Sequence, residues 1–111
     1  MANTFTRKLS RLVGTSATTV GSYTVPSSTT AVVVGLSLTN VTESAISANV
    51  IILDNAAQTT RLAVNAPISA GSSLVVGGGD QKIVLVTGDQ LQVQSSAATS
   101  IDAVMSIMEI T

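Results

Sequence analysis

The chain has no cysteine, no histidine and no tryptophan, and its only aromatic residues are Phe5 and Tyr23. Without cysteine there is no disulfide framework, no thiolate nucleophile and no Cys-ligated zinc. The same absence fits any redox compartment. Without histidine there is no Ser-His-Asp triad, no imidazole metal ligand and no switch that titrates near neutral pH. Charged residues make up 10% of the 111 positions, against about 25% in an average soluble domain. Long apolar runs are missing too. The longest, Ala31-Val32-Val33-Val34, extends through Gly35 to Leu36, far short of the ~20 residues that span a bilayer. The start, Met1 to Lys8, lacks the apolar h-region of a signal peptide. The expectation is a soluble, non-secreted product without a membrane partner.

What is present is a single domain's worth of apolar sequence. Hydrophobic residues are 45% of the chain, which is globular rather than disordered. Net charge is −1, unevenly spread. Arg7, Lys8 and Arg11 give the first segment +3, and the remainder carries −4, with Arg61 and Lys82 against Glu43, Asp54, Asp80, Asp89, Asp102 and Glu109. Three cations without interleaved aromatics make nucleic-acid binding an unfavoured reading. The segment fits either a solvated strand or a basic arm that reaches an acidic neighbour.

Val, Ile and Thr supply about a third of the residues, and their stiff β-branched side chains suit a pleated surface. Strand patterns recur at short intervals, separated by Gly, Pro, Asn, Asp and Ser clusters. The clearest is 31–41. A strict period of two puts Val32, Val34, Leu36 and Leu38 on one face and Val33, Gly35, Ser37 and Thr39 on the other. Further strands are expected at 46–53, 59–64, 74–76, 81–86, 90–94 and 101–110. A weaker one is expected at 18–25, and residues 5–13 read as a strand or an extended arm. Pro67 marks an edge or a crossing between sheets. Gly88 in Thr87-Gly88-Asp89 suits a tight turn that needs positive φ. Eight or nine short strands at this spacing predict an all-β, single-domain antiparallel β-sandwich or jelly-roll-like fold. In this organisation 1–14 is the arm or first strand and 15–111 the sandwich.

Motifs for chemistry are absent. Gly77-Gly78-Gly79-Asp80 lacks the Gly-x4-Gly-Lys-Ser/Thr spacing and the following helix of a phosphate loop, so it reads as a turn. Asp54, Asp80, Asp89 and Asp102 show no calcium-loop pattern and fall mostly in turns, where Asp is favoured anyway. Lys8 and Lys82 lie in no recognisable Ser–Lys motif. Carboxylate pairs have no aromatic platform for a sugar beyond Tyr23, which leaves a carbohydrate-binding module as a remote alternative. We expect no catalytic residues, no metal and no cofactor.

The strands that are apolar on both faces are more informative. Val33, Ile51, Val84, Val104, Met108 and Ile110 do not fit one small core together with the opposite-face set. Either the sandwich is thick, with both faces covered, or these residues are buried between copies. Few charges guard the edges, so a homo-oligomer is expected, a trimer first. Phe5, Arg7, Lys8 and Arg11 are the expected contact residues of the N-terminal segment.

The order of turn motifs also resembles a known group. Thr19-Val20-Gly21-Ser22-Tyr23-Thr24-Val25-Pro26 is similar to the TVYTVP opening of small virion proteins of tailed bacteriophages. Val34-Gly35-Leu36-Ser37-Leu38-Thr39-Asn40 resembles their xGLxxxN strand. Asn65-Ala66-Pro67-Ile68 followed by Gly71-Ser72-Ser73-Leu74 resembles their xAPIPxGSSL connection, with Ser69 where a second Pro is common. Leu85-Val86-Thr87-Gly88-Asp89 looks like their LexGD turn, and 95–110 like their closing strand. The resemblance spans roughly 15–110. It implies a non-enzymatic virion component, first a capsid decoration (cement) protein that contacts the major capsid protein, second a neck, tail or fibre-base accessory.

Overall fold

In the computed structural model, residues 3–76 and 82–111 are described. Among them there are nine strands and no helix. The strands are β1 (Asn3–Val13), β2 (Thr18–Thr24), β3 (Thr30–Asn40), β4 (Ile46–Leu53), β5 (Thr59–Ile68), β6 (Ser73–Val75), β7 (Ile83–Leu85), β8 (Gln90–Ser95) and β9 (Ile101–Ile110). They form two antiparallel sheets packed face to face. One has the order β1-β9-β3, with β6 and β7 both on the far side of β3; the other has the order β2-β8-β4-β5. The all-β sandwich expected from the alternation is therefore the observed fold.

The pairing has a simple origin. Asp54 closes a hairpin between β4 and β5: its Oδ1 accepts the amides of Ala56 and Gln58 at 2.9 and 3.0 Å. Outward from this turn, β3 meets β6 and β7, β2 meets β8, and β1 meets β9. β6 and β7 lie on β3 in one direction, with Ser73 opposite Thr39 and Leu85 opposite Ala31. They are one interrupted strand. Counted so, the molecule is one long hairpin rolled into two four-stranded layers, the jelly-roll arrangement.

The core between the layers is aliphatic. Val20, Val33, Leu36, Leu38, Val50, Leu85, Leu91, Val93, Ile101, Met105 and Ile107 are all buried. In β8 Leu91 and Val93 point inward, and in β9 the inward set is Ile101, Ala103, Met105 and Ile107. The expected phase of β3 is not the observed one. Ala31 and Val33 point inward, and so do Leu36 and Leu38. A bulge reconciles the two sets: Val33 is opposite Ile107 and Gly35 opposite Ser106, so Val34 is the extra residue. The bulge inverts the face of everything before it, and Val33, expected on a second face, is 0% exposed in the core.

Of the two readings of the first segment the strand is the observed one, with residues 3–13 paired along β9. One other expectation changes. β5 does not stop at Val64 but continues through Pro67 to Ile68. It is the edge of its sheet, where Pro67 leaves no ladder bond unmade, and two register shifts against β4 absorb the extra residues. The Gly-rich segment at 77–80 and Gln81, read as a turn and a strand start, lie outside the described residues.

Glycine is required at two close approaches. Gly21 (φ +62°) lies where β1 and β2 close one side of the sandwich, and a Cβ there meets the Lys8 Cβ at 2.5 Å. Gly88 (φ +90°) packs its turn on Asn55, whose Cβ a side chain at 88 meets at 2.6 Å.

Candidate interaction face

Period two sorts β1 into an outer set, Phe5, Arg7, Leu9 and Arg11, and an inner set, Thr6, Lys8 and Ser10. The three cations expected to act together are thereby separated. Arg7 and Arg11 are exposed on the outside. Lys8 turns toward β2, its Nζ 4.9 Å from the centre of the Tyr23 ring. Ser10 locks the same seam: its Oγ accepts the amide of Gly21 at 2.8 Å.

The register of the five-stranded sheet aligns the outer apolar residues into rows across the strands. Phe5 is opposite Met108, Met108 opposite Val32, and Val32 opposite Val84. A second row runs Leu9, Val104, Ser37, Val75. Between them lies a row of Arg7, Ser106 and Gly35. A Cβ at Gly35 meets nothing within 4 Å, so this row is an open trough between two apolar ridges. Phe5 is 73% exposed, Val84 59% and Val104 44%. Ile110 continues the outer set of β9 beyond the first row, opposite Asn3 and Thr30. Among the described residues of these two rows and the trough, the one charge is Arg7. Asp102, further along β9, is occupied by the amide of Leu12 at 2.9 Å.

The outer face of the other sheet is polar. Gln90, Gln92 and Gln94 of β8 lie beside Asn49 of β4 and Thr19 of β2. Thr19 Oγ1 donates to Gln90 Oε1 at 2.7 Å, Gln92 Nε2 donates to Thr19 Oγ1 at 3.3 Å, and Asn49 Nδ2 donates to Gln94 Oε1 at 3.3 Å. Ile51, opposite Gln92 and Arg61, belongs to this polar face and not to the apolar one. The expected contact residues thus fall into four places: Phe5, Arg7, Arg11, Val84, Val104, Met108 and Ile110 on one outer face, Ile51 on the other, Lys8 in the β1–β2 seam and Val33 in the core.

The polar groups that are buried serve the fold. Asn40, 0% exposed, donates through Nδ2 to the carbonyls of Ser44 (2.8 Å) and Ile68 (3.1 Å). Its Oδ1 accepts the amide and the hydroxyl of Thr42 at 2.9 and 2.7 Å. All of that amide's donors and acceptors are used. Alternation along the strand does not reveal that Ile68 lies beside Asn40. Tyr23 is buried, and its hydroxyl donates to Glu109 at 2.6 Å. Burial first, then this hydrogen bond and the carboxylate charge, raise its pKa well above the ordinary tyrosine value. Its ring is not open for stacking on a sugar. Asp89 is buried in the β7–β8 turn, where Oδ2 accepts the amide of Val86 at 2.9 Å. Among the described residues no three His, Cys, Asp or Glu side chains group as metal ligands. A cleft of about 230 Å³ opens between the edges of the two layers, walled by Leu62, Ala63, Ala66, Leu74, Val75, Val76 and Ile83. The side chains of this wall are all aliphatic, and among the described residues that line it there is no nucleophile, acid or base.

No protein-family model matches the sequence, and no curated protein matches it. The fold has counterparts among solved structures. A chain from the acidic stable capsid structure of Helicobacter pylori bacteriophage KHP30 superposes with a TM-score of 0.59 at 12% identity, covering 100% of this chain and 89% of that one. A chain from the disulfide-linked pili of Bacillus endospore appendages gives 0.56 at 12% identity, with 99% and 87% covered. A chain of infectious bursal disease virus strain Gx gives 0.55 at 13% identity, covering 96% of this chain but 32% of that one. At these identities the likeness establishes the sandwich fold.

Proposed function

We propose that this chain is a non-enzymatic structural protein of a virus particle, a capsid decoration (cement) protein of a tailed phage that acts as an oligomer. The observation that carries this reading is the outer face of the five-stranded sheet. A chain of 111 residues completes a core between its layers and still presents two apolar ridges on the outside. Exposed apolar surface of that kind is a contact surface. The structural counterparts support the reading in kind, since they come from a phage capsid, a virus particle and pili. The disulfide linkage of the pili has no equivalent here, because the chain has no cysteine.

In this reading the oligomer sits on the shell, and the basic border of Arg7 and Arg11 faces carboxylates of the major capsid protein. Cement acts by linkage: a protein that binds only the assembled shell stabilises it by its binding free energy. The trimer expected from the sequence is one order of that oligomer, and the relief of the outer face argues for a two-fold pair instead. A quantitative gel of purified particles tests the assignment. Copies in the hundreds support the shell. About three to twelve copies, the number set by a ring's symmetry, move the protein to the neck or tail, the second reading. Absence from particles ends both.

A further inference from the structure

We infer that the outer face of the five-stranded sheet is covered by a second copy of this chain, packed sheet to sheet about a two-fold axis that runs across the strands. The inference builds on the reading of the chain as an assembly protein and names the surface and its occupant.

Three observations carry it. The first is relief. The ridge Phe5–Met108–Val32–Val84 and the ridge through Leu9 and Val104 flank the trough at Ser106 and Gly35. Adjacent rows on one face are two residues, about 7 Å, apart. A two-fold axis parallel to the strands brings ridge onto ridge. An axis across the strands, midway between the Phe5 ridge and the trough, seats that ridge in the other copy's trough and brings the Leu9–Val104 ridge over the row of Asn3, Ile110 and Thr30. The surface is then complementary to itself, as an isologous contact requires, and strand directions stay aligned as in packed sandwiches.

The second is size. Ten-residue β9 is about 33 Å long at ~3.3 Å per residue, and four strands at ~4.8 Å spacing are about 19 Å wide, giving a footprint of about 600 Å². That approaches the ~800 Å² each partner contributes to a standard stable interface.

The third is charge. Arg7 and Arg11 stand on the edge strand β1, where long side chains reach past the border into solvent. An axis across the strands brings both β1 edges to the same side. Among the described residues Arg7, at the β1 end of the trough, is then the one charge each copy brings to the contact and lies at its border, and four guanidinium groups gather along one rim. That strip offers twice the single chain's attraction for an acidic surface, and it repels itself at low ionic strength.

Sedimentation equilibrium of the purified chain tests this. The expected result is a dimer whose association tightens with added salt. Val84→Glu and Val104→Glu change side chains that are exposed in the single chain, so each folds with an unchanged circular dichroism spectrum while weakening association by at least about tenfold. Gln92→Glu on the opposite face leaves the dimer intact. A wild-type monomer up to ~100 µM, weaker than assembly at particle concentrations requires, overturns the inference. So does a trimer, or any oligomer that both ridge variants leave unchanged. Particle gels separate the two ideas: a dimer that is absent from particles retires the virion reading alone, and an abundant particle component that is monomeric in solution retires the interface alone.

Discussion

The two outer faces of this sandwich are made by the same alternation and differ in what it places there. On the four-stranded sheet the outward positions of β8 are Gln90, Gln92 and Gln94, which hydrogen-bond to Thr19 and Asn49. On the five-stranded sheet the outward positions of β1, β9 and β7 include Phe5, Met108, Val104 and Val84. Both sheets pack their inner sides on one aliphatic core, so folding alone does not require the second face to be apolar. The difference is why we infer that the five-stranded sheet's face is finished by protein and the four-stranded sheet's face by water.

The sharpest way to break the comparison is at Val33 and Val84, two valines that both stand in strands apolar on two faces. Val33→Asp, in the core, is expected to abolish folding, and Val33→Ala to cost about 2 kcal/mol in urea denaturation. Val84→Asp is expected to stay within about 0.5 kcal/mol of the parent chain at a concentration where it is monomeric.

Asn40 tests whether the two layers, and hence the two faces, move as one unit, because it joins the end of β3 to Ile68 of β5. Asn40→Leu leaves the Thr42 amide without its acceptor and removes the side-chain donor to the Ile68 and Ser44 carbonyls, of which Ser44 keeps the Thr42 hydroxyl. A loss of about 2–4 kcal/mol is expected, read from the same denaturation curves. A smaller effect shows that the layers are held by packing alone.

The comparison can also be inverted. Replacing Gln92 and Gln94 by Val makes the polar face resemble the apolar one. The doubly substituted chain is expected to gain a second association step in sedimentation, since an apolar strip on an outer face seeks cover. Arg7→Glu sharpens the role of the basic rim: with mixed signs along it, the dimer should lose its strengthening by salt, a change of about a few-fold between low and high ionic strength.

The smallest effect concerns the seam where the two layers meet. Burial and Glu109 keep Tyr23 protonated in the folded chain beyond its ordinary range. Above about pH 10, where an unfolded tyrosine ionises, the unfolded state releases a proton that the folded state retains. Stability from this group is complete below that pH and declines as pH rises. Tyr23→Phe should cost about 1–2 kcal/mol near neutral pH and should show a shallower decline in alkali by thermal melts.

Much of the sandwich was legible from local pattern. β8 alternates Gln with Leu91 and Val93, so its inward residues follow from period two; in β9 period two separates the two faces, and both carry apolar residues. The turn at Gly88 declared itself by residue type. The candidate face was only half legible. Met108, Ile110, Val104 and Val84 stood out as surplus to one core, but Val33 was grouped with them wrongly, and Ile51 was placed with residues that lie on the other sheet. Lys8 was grouped with Arg7 and Arg11 by closeness in sequence, although alternation along a strand sends it the opposite way. Asn40 gave no signal beyond a strand end, because its role depends on a carbonyl 28 residues away.

The chain's composition and alternation determine by themselves that this protein is β-rich, aliphatic inside, short of catalytic side chains and oversupplied with apolar outward positions. These are properties of residue type and nearest-neighbour spacing. Tertiary structure decided the rest: which phase β3 adopts on either side of Val34, which edges pair, and that Phe5, Met108, Val32 and Val84 from four separate strands share one line. The physical reason is that a bulge costs the local pattern nothing. It is imposed by the ladder of the neighbouring strand, and a one-residue slip exchanges the buried face for the exposed one.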